Sequence, residues 1–495
     1  MSSVETPGSS VGGDGRLIMV SNRLPIVVTR DEGGGWTTEP GSGGLVTAVA
    51  PVIRNRNGLW IGWPGNSEIP EDELADLVHG SGSGNVGYPL EPVTLTPREE
   101  QNYYYGFSNE ILWPLFHDLQ TRCNMDSKYW SDYKAVNRKF AQVIEEQLVA
   151  GDTVWIHDYQ LFLVAAFLRV HKVRARLSFF LHIPFPSPDI FRKLPWRDQI
   201  LSAMLEYDLI GFQTVRDRRN FLQCLNMYSD KIATNERSAR PIIQWKGRRI
   251  RVDAFPVSID YEAFASKAES REVDVRAGII DRDLPDRRIV FSLDRLDYTK
   301  GVPERLRAIG RALRRFPDLH EKVTFQQVLV PSRREIPEYE SLKQEIESLV
   351  SEINGEFSRS GWVPVHYFFR SLDFDELVAY YRASDIALLT PLKDGMNLVA
   401  KEYCACCVDD RGVLILSEFA GAAVQFDQVA ILVNPYDADG VAEAIHRAYH
   451  MPADERRERM RRLRESVQRE DVFHWVDGFL EAAGAGQVPG DVSRI

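Results

Sequence analysis

The amino-acid sequence predicts an α/β protein with two doubly wound parallel-sheet domains that face each other across a cleft. The chain has 495 residues, more than one hydrophobic core usually supports. Short, continuously apolar segments alternate with segments of helical periodicity, a pattern typical of parallel strands covered on both faces. This alternation restarts after residue 250, so we expect one sheet in each half of the chain.

The predicted strands fall into two sets. The first set comprises RLIMVS, TVWIHD, RLSFFLHI and YDLIGFQT, at residues 16–21, 153–158, 176–183 and 207–214. The second set comprises residues 287–294, 322–330, 364–369, 384–391, 412–417 and 429–435. We expect a disordered tail, a first domain, a second domain and a C-terminal helix that packs back on the first domain, over residues 1–14, 15–253, 254–471 and 472–495.

Composition argues against several classes of protein. The formal net charge of −11 disfavours a general nucleic-acid binder, whose surface needs a basic excess. No apolar run is long enough to cross a bilayer, and the first 15 residues lack the basic and apolar regions of a signal peptide. Five cysteines without paired zinc-site spacing suggest a reducing compartment. We expect a cytoplasmic protein without nucleic-acid or membrane partners, and its aromatic content suggests a homo-oligomer, a dimer or tetramer.

Charged and polar side chains follow the predicted strands. Ligands of open parallel sheets bind beyond the C-terminal ends of the strands, and two such sheets place the site in the cleft between them. The side chains at these positions are Arg23, His157, Asp158, His182, Arg295, Lys300, Arg333 and Asp394. Each alone would ordinarily be solvated, ion-paired or, for His157, a core histidine. Their recurrence at six strand ends indicates a ligand site.

The chemistry of these positions suits an anionic, hydroxyl-rich ligand. Arginine binds phosphate through a planar fork and lysine acts as a point charge. Gly43 and Gly44, in a glycine-rich loop, would let backbone N–H groups approach a phosphate. The helix predicted from about Asn397 offers further N–H groups. Glu402 lies four residues after Leu398, on the same helical face.

Aromatic residues crowd the segment QNYYYGFSNEILWPLFH, Gln101 to His117. One interpretation is a core segment whose rings cover the sheet. The other is a sugar-binding platform, in which rings face C–H groups and tyrosine hydroxyls make polar contacts. The sequence leaves both interpretations open.

Together these segments resemble the trehalose-6-phosphate synthase family. The resemblance rests on SNRLP, YYYGFSNEILWPLFH, VWIHDYQL, FFLHIPFPSPDIFR, GFQT, LDRLDYTKGVPERL, PSRRE, TPLKDGMNLVAKEY and LSEFAGAA, in that order between about Arg16 and Val476. It implies the GT-B fold, with two Rossmann-like domains facing across a cleft. It also implies retaining transfer of glucose from UDP-glucose to glucose 6-phosphate, which yields α,α-trehalose 6-phosphate and UDP.

The resemblance further implies roles for individual residues. The acceptor is expected to contact Arg23, Tyr104, Trp113, Asp158 and Arg333. The donor is expected to contact Gly43, Gly44, His182, Arg295, Lys300, Asp394, Met396, Asn397, Leu398, Val399 and Glu402. The residues expected to be catalytic are Asp158, His182, Arg295, Lys300 and Asp394.

We expect no cofactor and no metal at this site. Asp-x-Asp, which holds a metal in another glycosyltransferase architecture, occurs at 281–283 and 373–375. We interpret both matches as incidental, the first in a turn before a strand and the second leading into a helix. Arg295, Lys300 and a helix N-terminus could stabilise the diphosphate instead. The leaving phosphate oxygen would then take the proton of the acceptor hydroxyl on the same face of the sugar, while Asp158 and His182 position the substrates.

Three alternatives remain at the level of sequence. Another sugar-phosphate glycosyltransferase could use the same fold, although Arg23 with Arg333 favours a phosphorylated acceptor. A non-catalytic sensor would not need the intact set of charged strand-end residues. A nucleotide-sugar epimerase would leave the aromatic segment unexplained. The sequence does not decide whether UDP-, ADP- or GDP-glucose is preferred.

Overall fold

The computed structural model describes residues 15–484, apart from 31–34, 42–45, 47–48, 51–52, 55–56, 229–231, 235–237, 239 and 333–336. The strands are β1 (Leu17–Arg23), β2 (Ile26–Arg30), β3 (Trp36–Pro40), β4 (Leu59–Trp63), β5 (Leu90–Pro92), β6 (Thr153–His157), β7 (Arg176–Phe180), β8 (Leu209–Phe212), β9 (Ala233–Thr234), β10 (Ile242–Trp245), β11 (Arg248–Ala254), β12 (Arg288–Arg295), β13 (Val323–Val330), β14 (Val365–Phe369), β15 (Ile386–Leu389), β16 (Val413–Ser417) and β17 (Ile431–Val433).

Helices connect these strands. The α-helices are Glu71–Leu77, Ser83–Val86, Pro97–Glu99, Trp113–Phe116, Lys128–Gln147, Val164–Val170, Pro188–Phe191, Arg197–Met204, Val215–Tyr228, Tyr261–Ala268, Arg271–Asp283, Val302–Arg315, Pro337–Phe357, Phe374–Ala383, Leu398–Cys406, Ala438–His450, Ala453–Arg469 and Val472–Ala483. Wider π-helical segments are Val78–Gly82 and Glu100–Leu112, and single 3₁₀ turns are Gln120–Arg122, Tyr159–Leu161, Tyr298–Lys300, Pro317–Leu319 and Gly421–Val424. Within the described ranges, none of the helices is long and apolar enough to cross a bilayer.

The strands form two large sheets and one hairpin. The first sheet has the order β5-β4-β1-β6-β7-β8-β11-β10-β9 and is parallel except around β10. The second has the order β14-β13-β12-β15-β16-β17, and its strand pairs are all parallel. Strands β2 and β3 pair as the hairpin. Strand orders that leave sequence order require helical crossovers, so the predicted doubly wound α/β fold is confirmed.

Each of the ten predicted strand segments contains a strand of the structure. Most of these strands are buried on both faces, as in β16, where every residue is buried. The prediction missed the hairpin, the strand β4, the short edge strand β5 and the strands β9 to β11. Edge and antiparallel strands lack a continuous apolar run because water reaches one of their faces. Strand β4 has no such reason, since it is fully buried and lies between β5 and β1.

The two Asp-x-Asp segments belong to helices. The expectation of a turn for residues 281–283 is wrong, because they are the last turn of the helix Arg271–Asp283. That helix starts at Ser270, whose hydroxyl accepts a hydrogen bond from the Val273 N–H. Asp373 caps the helix Phe374–Ala383 by accepting a hydrogen bond from the Glu376 N–H, as expected for a segment leading into a helix.

The last helix, Val472–Ala483, lies against the first sheet. The rings of Trp475 and Phe479 lie 5.2 and 4.3 Å from the ring of Trp155 on β6. Gly211 on β8 permits this approach, because a Cβ there would stand 2.7 Å from the Phe479 ring. The apolar side chains of this helix, Trp475 and Phe479 among them, are therefore buried against the first sheet.

Candidate active site

Lys300 and Asp394 form an ion pair at the C-terminal edge of the second sheet. Lys300 ends the 3₁₀ turn after β12, and Asp394 follows β15. The Lys300 ammonium donates to Asp394 Oδ2 at 2.6 Å, and each side chain is only 15% exposed. Burial disfavours the Asp394 carboxylate, but the Lys300 charge outweighs burial and holds the pKa of Asp394 below its ordinary value. Both groups are therefore charged.

The backbone after Asp394 fixes this pair at the start of a helix. Asn397 adopts a left-handed conformation with φ +75°, and its side-chain oxygen accepts a hydrogen bond from Ala400 N–H at 3.1 Å. Its amide nitrogen donates to Asp394 Oδ2 at 3.3 Å. Met396 is buried, and its carbonyl oxygen accepts a hydrogen bond from Ala422 N–H at 2.8 Å. The N-terminus of the helix Leu398–Cys406 thus faces the region of Asp394.

Glu402 lies one turn into the same helix. It accepts a hydrogen bond from the Tyr381 hydroxyl at 2.8 Å. Burial raises the pKa of Glu402 above its ordinary value, although the bond from Tyr381 opposes the shift. Leu398 and Val399, partly buried, precede it on the first turn. A carboxyl group held this way has one oxygen fixed by Tyr381, which orients the group.

Asp158 occupies the end of β6 in the opposite sheet. Its backbone has φ +74°, a strained conformation for a residue with a side chain. Its Oδ1 atom accepts hydrogen bonds from the backbone N–H groups of Tyr159, at 3.1 Å, and His182, at 3.3 Å. Burial raises the pKa of Asp158 to about 7, against the opposing effects of these N–H groups and the charge of Arg295.

His182 follows β7 and contacts His157 at the end of β6. The two rings stack with centroids 5.2 Å apart, and His157 Nδ1 lies 2.9 Å from His182 Nε2. Burial lowers the pKa of His182 to about 3 and that of His157 well below its ordinary value. The pair is therefore uncharged near neutral pH, and one ring donates to the other. His157 itself is fully buried, as expected for a core histidine.

Arg23 and Tyr104 lie together at the end of β1. The Arg23 guanidinium stands 4.1 Å from the Trp63 ring and 5.0 Å from the Tyr104 ring. Most of the aromatic segment is core, since Tyr103, Phe107 and neighbouring side chains are fully buried. Tyr104 is only partly buried, so the segment both covers the sheet and presents a ring beside a cation.

The two halves of the chain are in contact at Trp113. Its indole Nε1 lies 3.4 Å from Asp297 Oδ1, and the Arg295 guanidinium stands 5.8 Å from its ring. Trp113 belongs to the half of the chain that forms the first sheet, whereas Asp297 and Arg295 follow β12. Arg295 is exposed, so its guanidinium is accessible from the cleft.

Gly395 is a second point of contact between the halves. A Cβ on Gly395 would overlap the carbonyl oxygen of His182, so only glycine permits this approach. Next to it, Lys393 pairs with Asp118 of the first half. Asp158 and His182 of the first half and Arg295 and Asp394 of the second therefore converge on one cleft.

Three predicted site residues lie outside the described residues: Gly43, Gly44 and Arg333. Sequence reasoning also missed positions that the structure brings to the site, namely Gly395, Asp297, Tyr381 and His117. His117 is buried with Nδ1 2.7 Å from the Trp113 carbonyl oxygen, and burial lowers its pKa to about 4. Gly395 lies in the motif TPLKDGMNLVAKEY and Asp297 in the motif LDRLDYTKGVPERL. Both motifs were singled out for other residues, so membership in them was the signal that could have identified these two.

Comparison with known proteins agrees with this architecture. The sequence pattern of glycosyltransferase family 20 matches residues 15–484. The chain belongs to glycosyltransferase family 20. It is 41% identical over 488 residues to a trehalose-6-phosphate synthase of Mycobacterium sp. (strain KMS), covering 97% of each chain. It is 40% identical over 477 residues to the α,α-trehalose-phosphate synthase [UDP-forming] A of Dictyostelium discoideum, covering 96% of this chain and 63% of that longer protein.

Solved structures of the family superpose on this chain. A UDP-forming α,α-trehalose-phosphate synthase of Burkholderia xenovorans, in complex with glucose-6-phosphate, has a TM-score of 0.84 and 34% identity over 95% of this chain and 100% of that one. A structure from E. coli bound with UDP-2-fluoro glucose has the same TM-score and identity, over 96% and 99% of the two chains. The predicted GT-B fold and the predicted resemblance to the trehalose-6-phosphate synthase family are confirmed by these likenesses.

Proposed function

We propose that this chain transfers glucose from UDP-glucose to glucose 6-phosphate with retention of configuration, forming α,α-trehalose 6-phosphate and UDP. The observation that carries the proposal is the convergence of two unlike sets of side chains on one cleft. The ion pair of Lys300 and Asp394 follows β12 and β15, whereas a neutral histidine pair and Asp158, a carboxyl group with a raised pKa, follow β6 and β7. Relatives of this family have been solved with glucose-6-phosphate and with UDP-2-fluoro glucose, which match these two halves of the reaction.

The donor would bind on the side of the cleft that is formed by the residues after β12 and β15, which we call the second-sheet wall. Arg295 and Lys300 would stabilise the charge that develops on the diphosphate as the glycosidic bond to it breaks. Lys300 is held in place by Asp394, and a diphosphate would share that ammonium. Asp394 and the backbone from Met396 to Val399 would bind the glucose hydroxyls, with His182 on the other side. Glu402, oriented by Tyr381, would bind the ribose hydroxyls.

The acceptor would bind on the opposite side of the cleft, formed by the residues after β1, β6 and β7, which we call the first-sheet wall. Arg23, Tyr104 and Arg333 would hold its phosphate, and Trp113 and Asp158 its sugar ring. The acceptor hydroxyl would then attack the anomeric carbon from the face that the diphosphate leaves, and a phosphate oxygen of the departing UDP would take the hydroxyl proton. Asp158 and His182 position these groups, because a pair of neutral histidines and a carboxyl with a raised pKa are suited to hydrogen bonding rather than to charge.

UDP release tests this function. Full-length protein is supplied with a panel of UDP-, ADP- and GDP-glucose, each with glucose 6-phosphate or with free glucose. We expect release of the nucleoside diphosphate only with UDP-glucose and glucose 6-phosphate, and a product that a trehalose-6-phosphate phosphatase converts to trehalose. Equal rates with free glucose would favour a different sugar acceptor, and no release with any pair would favour a non-catalytic sensor.

Two further measurements address the mechanism. We expect turnover to persist in EDTA, because Arg295 and Lys300 provide the positive charge, and full loss of turnover would contradict this. We also expect no covalent intermediate on Asp394. A glucosyl ester trapped on that residue with a fluorinated donor would replace the same-face mechanism with a double displacement.

We extend the proposal to organisation and location. Residues 15–253 would form the acceptor domain and 254–471 the donor domain, with Gly43 and Gly44 in a loop that closes over the donor. The protein would be cytoplasmic and a dimer or tetramer. Its described cysteines are all unpaired thiols, and Phe374, Tyr436 and Phe473 expose large apolar side chains. Light scattering on the purified protein would measure the oligomeric state, and a monomeric mass would contradict it.

A further inference from the structure

We propose that Asp318, His446 and His450 form a surface site for a divalent transition-metal ion of the zinc class, outside the catalytic cleft. One histidine would suffice for an ion pair with Asp318, but two converge on it. His446 Nε2 lies 3.0 Å and His450 Nε2 2.7 Å from the same carboxylate oxygen, Oδ2 of Asp318. These three groups form the only set of at least three such ligand atoms found among the described residues.

The geometry suits a metal with two imidazole ligands and one carboxylate. His446 and His450 lie four residues apart on the helix Ala438–His450, so both rings project from one face. The three ligand atoms lie within 4.8 Å of one another. Ligands bound to zinc at about 2.0–2.1 Å stand roughly 3.3 Å apart in a tetrahedral site, so small side-chain rotations would complete it. Imidazole with a carboxylate is a ligand set suited to zinc, nickel or copper.

The surroundings hold the rings in position. His446 stacks on Phe316, with ring centroids 4.1 Å apart and planes inclined by 15°. The rings of His446 and His450 are 4.5 Å apart. Restricting ring orientation in advance lowers the entropy lost on binding a metal. Asp318 and His450 are exposed, so an ion can reach the site from solvent and water can fill its remaining positions.

The site would join two neighbouring helices at one end. Asp318 follows the helix Val302–Arg315, which packs beside Ala438–His450. Along the same boundary Arg311 pairs with Asp439 and Arg315 with Glu443. Lys300 lies just before the other end of Val302–Arg315. A helix of this length spans about 20 Å, so a metal at Asp318 is remote from the donor cations and would stabilise the fold rather than take part in transfer.

Metal titration tests the site directly. Full-length protein without a polyhistidine tag is stripped with a chelator, dialysed and titrated with Zn²⁺ against a chromophoric competitor. We expect the wild-type chain to bind one ion more per chain than the double variant H446N/H450N. Losing even an outer partner of a metal typically weakens affinity by about 10–100-fold, so D318N should weaken binding by at least about tenfold.

A matched control separates this site from ordinary histidine–carboxylate pairs. His171 is also exposed and pairs with one carboxylate, Glu145, so H171N removes a surface imidazole without removing the proposed site. We expect H171N to bind as wild type does. Substitution with Co²⁺ should give d–d absorption bands in the wild type and H171N, and none from this site in H446N/H450N.

Stability and activity give independent readouts. Zn²⁺ should raise the melting temperature of the wild type and of H171N but not that of H446N/H450N, and UDP release should be the same with and without the ion. Equal stoichiometry and affinity in wild type and double variant would overturn the proposal, as would a wild type that binds no ion. Because UDP release is measured separately, failure of the metal site and failure of the proposed transferase activity are distinguishable.

Discussion

The pKa of Asp394 on the second-sheet wall and the pKa of Asp158 on the first-sheet wall are shifted in opposite directions. On the second-sheet wall, the Lys300 ammonium, 2.6 Å from Asp394, holds the pKa of that carboxyl below its ordinary value against the effect of burial. On the first-sheet wall, burial keeps His182 uncharged and raises the pKa of Asp158 to about 7. The first arrangement suits a ligand whose charge changes during reaction, and the second suits one recognised through hydroxyl groups. The difference supports the proposal that the diphosphate binds beside Lys300 and the acceptor sugar beside Asp158.

Replacing the exposed cation of the charged wall should have the largest effect. We expect Arg295→Ala to lower kcat/KM for UDP release by about 100-fold or more, because removing one donor to developing charge typically costs about 10²–10³ in rate. Arg282→Ala is the matched control, since Arg282 is exposed at the end of the helix Arg271–Asp283. An unchanged kcat/KM in Arg295→Ala would contradict the proposal that Arg295 stabilises the charge that develops on the diphosphate.

Separating the two walls should have the next largest effect. A methyl group on Gly395 would overlap the carbonyl oxygen of His182 and push the walls apart. Misplacement by about 1 Å can cost up to 100-fold in rate, so we expect Gly395→Ala to lower kcat/KM by about 10–100-fold. The melting temperature, measured in parallel, identifies any loss that is due to unfolding.

Gly355→Ala is the control for this change. Gly355 lies in the helix Pro337–Phe357, and a Cβ there meets nothing within 4 Å. It should retain wild-type activity and gain up to about 1 kcal/mol of stability, since alanine favours the helix. Wild-type activity in Gly395→Ala would show that close apposition of the walls is not required.

The smallest expected effect is on how the free energy of unfolding depends on pH, and it concerns Asp158 on the first-sheet wall. The pKa of Asp158 is about 7 in the folded protein, above its ordinary value of 3.8, so the folded state retains a proton that the unfolded state has lost between these values. The contribution of Asp158 to stability must therefore fall as pH rises from about 4 to 7. We expect wild type to lose about 1–2 kcal/mol relative to Asp158→Asn between pH 5 and 7 in urea unfolding.

Asp76→Asn is the control variant for Asp158→Asn in the urea unfolding experiment. Asp76 is an exposed carboxylate on the helix Glu71–Leu77, so its replacement should leave the pH dependence of the wild type unchanged. A flat difference between wild type and Asp158→Asn across this range would mean that Asp158 is charged in the fold. The contrast between the walls would then be smaller than described above.

Much of the site followed from the sequence, and the rest did not for identifiable reasons. Arg295, Lys300 and Asp394 were found because charged residues directly after apolar strands are unusual and the ends of parallel strands share one edge. Gly395 and Asp297 were not singled out, because their importance depends on a partner in the other half of the chain. The cluster of Asp318 with His446 and His450 was not visible either, since the aspartate precedes the first histidine by 128 positions.

The sequence by itself determined the two α/β sheets, their approximate strands and which side chains lie at the strand ends, because apolar runs and helical periodicity are local properties. Only the tertiary structure decided which of those side chains meet. Lys300 and Asp394 are 94 residues apart, and Trp113 and Asp297 are 184 apart. It also decided the charge states, since whether burial or an opposite charge dominates a pKa depends on neighbours that are distant in the chain.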